Sequence, residues 1–177
     1  TRADWEFERT FVNAVAEAGA MVYRICDTVG CGLSDPQAPL PSGIPTKVRQ
    51  MKKETKIPYI EIHAHDDLGN AVENTMAAIR AASGLYEKVY ASTTFLGIGD
   101  RAGNAETEKV ILNCYLHHDI DKWNMKLLRE LAVFMASSIN YHLPLNKAIV
   151  GDAAFAHESG IHVHGVSTLP LTYEAFP

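Results

Sequence analysis

Cysteine is scarce in this chain, and the little there is forms no pattern. Cys26, Cys31 and Cys114 are odd in number and lack a Cys-x-x-Cys spacing, so neither a disulfide framework nor a cysteine-built zinc finger is indicated. That usage fits a reducing cytoplasm. No apolar run reaches bilayer length and no signal peptide opens the chain, which gives no reason to expect a membrane partner. Basic clustering is equally thin. Apart from Lys52-Lys53 the lysines and arginines are scattered, and the net charge is −5, so the stripe that tracks a phosphate backbone is missing and nucleic acid is not an expected partner. Low-complexity segments are absent too. No initiator methionine precedes Thr1-Arg-Ala-Asp-Trp5, and a segment of a longer polypeptide is expected.

What is present is a chain of 177 residues, 47% hydrophobic, enough for a globular domain with a real core. Asp4 is placed to cap a helix with Phe7, Phe11, Val15 and Ala18 at helical spacing, which Gly19 stops. A strand follows over Met21–Cys26, then a Pro- and Gly-rich loop from Gly30 to Pro41, then a helix from a Ser42 cap to about Glu54. A second strand, Tyr59 to His63, leads to a helix over 71–82. A third, Lys88 to Thr93, leads through a Gly-rich loop to a helix from Ala105 to about Leu116. Strand, loop and helix alternate three times, the rhythm of parallel strands with helical crossovers. Such units suit a doubly wound sheet or a (β/α)8 barrel, of which three strands make less than half. Beyond Asp119 the rhythm breaks into one helix, Met125 to about Ile139, and a stretch of low periodicity from His142 to Pro177. The expected division is 1–119 and 120–177.

Each strand ends in a polar cluster: Asp27-Thr28-Val-Gly30, His63-Ala-His65-Asp66-Asp67, and Gly97-Ile-Gly-Asp-Arg-Ala-Gly-Asn104. Carboxyl ends of parallel strands are where such folds bind substrates and metals, so a shared site is expected. Strand alternation puts His63 and His65 on one face, and imidazole nitrogen is a common ligand of zinc-like ions. Asn104 offers a side-chain oxygen as a weaker ligand. Arg101 either serves a substrate carboxylate or holds Asp100. The glycines do not make a dinucleotide site, because their Gly-x-Gly-x-x-x-Gly spacing lacks the two-residue gap of that fingerprint and no acidic residue on a following strand is placed to take a ribose. Further on, His157, His162 and His164 crowd an irregular segment, open to metal-binding, surface or general-base readings.

Taken in order, Asp27-Thr-Val-Gly30, His63-Ala-His-Asp-Asp-Leu-Gly69, Gly97 to Asn104, and Asn146-Lys-Ala-Ile-Val-Gly151 through His157-Glu-Ser-Gly-Ile-His162 resemble the motifs of the homocitrate synthase and 2-isopropylmalate synthase family, within the metal-dependent DRE-TIM metallolyases. The resemblance implies an α/β fold: a partial (β/α)8 TIM barrel, about the last three strand–helix units, followed by the start of a small, mainly helical linker subdomain. It implies a Claisen condensation of acetyl-CoA with a 2-oxo acid, aided by a divalent ion (zinc, manganese or magnesium). His63 and His65 are then metal ligands, Asn104 a weaker or outer contact, Thr28 the carboxylate contact of the 2-oxo acid, and His162 the base, delivered from the partner subunit of a homodimer. The His-Asp-Asp run resembles some homocitrate synthases, which points to 2-oxoglutarate. Asp100 and His164 depart from the usual Glu and Asp. The upstream strand that supplies a third ligand and an arginine lies outside this chain. Competing expectations are a 2-isopropylmalate, citramalate or Re-citrate synthase, a retro-aldol lyase of the same barrel group, and an inactive metal-binding barrel fragment.

Overall fold

A computed structural model describes residues 1–176. Three parallel strands, β1 (Val22–Asp27), β2 (Tyr59–Ala64) and β3 (Lys88–Ser92), lie in the order β1-β2-β3. Parallel neighbours cannot be joined by a hairpin, and the connections run through α2 (Ile44–Glu54) and α3 (Ala71–Ala82), with α1 (Trp5–Glu17) before the sheet and α4 (Thr107–His118) after it. Alternation sorts the two faces. Ile25, Ile60, Ile62 and Ala64 are buried, as are Ile44, Val48 and Met51 of α2 and Met76, Ala77 and Ala78 of α3. The opposite parity forms two rows in register, Arg24–Glu61–Tyr90 and Cys26–His63–Ser92. In the first row Arg24 Nε lies 3.0 Å from Glu61 Oε2. This is a partial (β/α)8 barrel.

Two helices depart from expectation, α2 in its cap and α1 in its buried face. Ser42 does not cap α2; the cap is Gly43, whose N–H bonds to Pro39 O at 2.8 Å, and a proline lies in the first turn. In α1 the cap is as expected, Asp4 Oδ1 accepting from Phe7 N at 3.0 Å, but the face is not. Phe7 and Phe11 are exposed and stacked on each other, while Val12 is buried. The reason is an ion pair: Glu8, one turn before Val12, accepts from the fully buried Lys47 and from Tyr23. A buried ammonium must find its partner, and that requirement sets the rotation of α1.

Contacts divide the chain into two compact units, Thr1–Val110 and Ile111–Pro177. The second is mainly helical. In it α5 (Leu127–Ser138) buries Leu128, Ala132 and Ala136, and Arg129 pairs with Asp152. The segment expected to be irregular holds a further helix, α6 (Gly160–Thr168). None of its residues is buried, so it has no apolar stripe for a periodicity to reveal. Pro177, the last residue of the expected 120–177 subdomain, lies outside the described residues. No helix among the described residues is long and apolar enough to cross a membrane.

Candidate active site

The three loops that leave β1, β2 and β3 are sewn together by backbone bonds. His65 N donates to Asp27 O at 3.2 Å, Asp66 N to Gly103 O at 2.9 Å and Ala105 N to Ala64 O at 3.1 Å. Asn104 consequently forms an antiparallel bridge with His65. The glycines of the third loop permit this approach. A Cβ on Gly103, at φ +95, would fall 1.9 Å from Gly97 O, and one on Gly99 would fall 1.9 Å from Asn104 Oδ1. They are packing glycines. Buried Glu108 holds the same loop by accepting from Leu96 N at 3.1 Å on each carboxylate oxygen.

His63 and His65 stand on one face with ring centroids 5.0 Å apart and planes at 87°. His63 Nδ1 lies 3.1 Å from Ser92 Oγ, its neighbour in the register row. With Nδ1–H donating to that hydroxyl, Nε2 keeps its lone pair, as a metal ligand requires. Burial, followed by repulsion from His65 and Arg24, lowers the pKa of His63 and favours the neutral ring. His65 Nδ1 is buried with no hydrogen-bond partner, a costly arrangement that a divalent ion would relieve. The donor set therefore fits an ion held by His63 and His65. Asn104, 6% exposed, brings its Nδ2 to 3.5 Å from His63 Nε2 and 3.4 Å from Ala64 O, while Oδ1 sits against Gly99. The oxygen faces the histidines after a half-turn of the amide. Among the described residues no three His, Cys, Asp or Glu side chains gather as a metal cluster.

Thr28 is exposed at the mouth of the same site. Arg101, at φ 57, does not reach for Asp100. Its Nε bonds to Asp67 Oδ1 at 2.7 Å, and its Nη2 bonds to Asp67 Oδ2 at 3.0 Å and to Thr28 O at 2.5 Å. The pair lowers the pKa of Asp67 and raises that of Arg101. Asp27 is turned away from the solvent. Fully buried, it accepts from Cys31 N (3.1 Å), Gly32 N (2.9 Å), Thr1 Oγ1 (2.6 Å) and Asn74 Nδ2 (3.4 Å). Replacing Asp27 with alanine strands these donors and is expected to cost about 2–4 kcal/mol, read as a lower urea midpoint at unchanged slope. Asp27→Asn, which retains one acceptor oxygen, should lose roughly half as much.

His162 lies in the second unit, on α6. Its ring stacks at 35° on Tyr173, centroids 4.3 Å apart, and His157 meets it edge-on at 6.0 Å. His164, two residues on, is about 200° around the helix and belongs to another face. Sequence reasoning missed Ser92, Asp67 as the partner of Arg101, Asn74 and Tyr173. Ser92 was accessible through strand parity once β2 and β3 were aligned; Tyr173, beyond the end of α6, gives no spacing signal.

The HMGL-like family pattern matches residues 1–135, and a second pattern, homocitrate synthase post-HMGL domain-like, matches residues 149–177. A 2-isopropylmalate synthase of Pyrococcus abyssi is 39% identical over 98% of this chain and 35% of its own length. A homocitrate synthase of Frankia alni is 39% identical over 99% of this chain and 47% of its own. The chain thus spans roughly a third to a half of the curated relatives it matches. Among solved structures, the Bacillus subtilis HMG-CoA lyase superposes with a TM-score of 0.60 at 20% identity, covering 81% of this chain and 46% of that one. The carboxyl transferase domain of Rhizobium etli pyruvate carboxylase gives 0.61 at 14% identity over 95% of this chain and 27% of that one. At these identities the structural likeness speaks for the fold.

Proposed function

This chain belongs to the HMGL-like family, and on that premise we propose that it forms the last part of the catalytic barrel, with the following linker, of an acyltransferase that condenses acetyl-CoA with a 2-oxo acid. 2-Oxoglutarate is the acceptor, and homocitrate and CoA are the products. One observation carries the choice within the family: residues 149–177, which hold His157, His162 and Tyr173, match the homocitrate synthase post-barrel pattern. That favours condensation over the retro-aldol reaction. When bound by His63 and His65, a divalent ion supplies Lewis-acid polarisation of the 2-oxo carbonyl. Thr28 binds the carboxylate of that substrate, and Asn104 is a weaker or outer contact of the ion. His162, steadied by Tyr173, accepts a proton from the acetyl methyl group. The resulting enolate carbon bonds to the keto carbon, and water then cleaves the thioester to release CoA. His162 acts in a homodimer, on the site of the partner subunit.

The test supplies the preceding barrel strands by joining the chain to the upstream segment of the Frankia alni relative, and follows free thiol from acetyl-CoA. CoA release is expected only when a 2-oxo acid is present, fastest with 2-oxoglutarate, and not from the isolated chain. A preference for a branched 2-oxo acid would shift the assignment to 2-isopropylmalate synthesis. Cleavage of a 3-hydroxyacyl-CoA with no condensing activity would overturn it.

A further inference from the structure

Arg101, expected either at a substrate carboxylate or on Asp100, has its guanidinium already engaged elsewhere. Both oxygens of Asp67 and the carbonyl of Thr28 take its N–H groups. Those three residues belong to three different loops: Thr28 follows β1, Asp67 follows β2 and Arg101 follows β3. Each stands next to a group of the proposed site. Thr28 carries the proposed carboxylate contact, Asp67 lies two residues after His65, and Arg101 lies three before Asn104. A planar fork bonded to both oxygens of one carboxylate fixes orientation as well as distance, which a lysine cannot do.

We infer that Arg101 is a positioning residue: together with Asp67 it straps the three loops at the mouth of the barrel, and so sets the place of Thr28 and of the His65 turn without touching the substrate. The functional part of this inference rests on the reading of Thr28 and His65 given above; the strap itself does not. The backbone supports a strap at this point. Arg101 adopts a positive φ, and the turn around it closes through Gly103 N to Asp100 O at 2.9 Å. That turn points the side chain back over the first two loops instead of outward beside Asp100.

Two conservative variants, Arg101→Lys and Asp67→Asn, and their combination test it in the completed barrel. The first measurement is amide hydrogen exchange at Gly30, Asp66 and Gly69, whose N–H groups bond to Asp27 O, Gly103 O and Asp66 O. Exchange there should quicken several-fold in all three variants and stay unchanged in the core of β2. Equal exchange in wild type and variants would overturn the strap, whatever the enzyme's reaction. The second measurement is steady-state kinetics with acetyl-CoA and 2-oxoglutarate. KM for the 2-oxo acid should rise about 10-fold in each single variant and no further in the double one, with kcat much less affected, because displaced positioning groups weaken orientation before chemistry. If Asp67→Asn keeps the wild-type KM while Arg101→Lys loses it, Arg101 binds the substrate directly and the positioning role is wrong. Absence of any CoA release, in wild type as well, would count against the proposed reaction alone, since the exchange measurement still decides the strap.

Discussion

Replacing His63 or His65 with alanine in the completed barrel is expected to remove most of the bound divalent ion and, with it, nearly all condensation. Ser92 holds His63 through Nδ1, and the buried Nδ1 of His65 has no protein partner. Loss of either ring takes away one of the two side chains proposed to hold the ion. Because only neutral imidazole ligates metal, the lowered pKa of His63 keeps that side chain ready at neutral pH. Metal content by mass spectrometry after dialysis is the readout. His117→Ala and His118→Ala, in the last turn of α4, are the controls and should retain the ion. Equal loss from both pairs would mean that the ion is held elsewhere. Ser92→Ala should fall between, since an outer hydrogen bond to a ligand histidine typically contributes 10- to 100-fold in affinity.

The second large effect is expected at His162. His162→Ala should leave metal content and 2-oxo acid binding nearly intact while turnover falls about 10²–10⁴-fold, the usual contribution of a positioned base. Tyr173→Phe keeps the ring stack and removes the hydroxyl, so it separates packing from hydrogen bonding. Comparing Tyr173→Phe with Tyr173→Ala shows which of the two steadies the imidazole. If His162 serves the partner's site, mixing His162→Ala with His63→Ala should regain part of the activity. One site in each hybrid dimer then has both residues. A mixture that never exceeds its separate components, with subunit exchange demonstrated by mass, rules out service in trans.

The strand–loop–helix rhythm was legible because crossover helices and buried strands each carry their own periodicity, and β2 and α3 fall where that periodicity puts them. His63 and His65 were legible for the same local reason: two residues apart on a strand share a face wherever the strand lies. Motif order did more, because a chemical constellation written in loops survives even where no helix period accompanies it. Helix α6 escaped detection since it buries nothing, and a helix without an apolar face resembles a loop in sequence.

What remained undecided in the sequence was every pairing between distant elements. The row that sets Ser92 beside His63 depends on the register of β2 against β3. The reach of Arg101 to Asp67 instead of its chain neighbour Asp100 depends on a positive φ and on two loops folding over one another. The rotation of α1 follows from a buried lysine that has to meet Glu8. Residue identity and spacing determined which chemistry this chain can carry, because these act over a few bonds. Which side chains share one site was decided by tertiary structure, because strand register, burial and charge pairing are settled only when segments far apart in the chain compete for the same space.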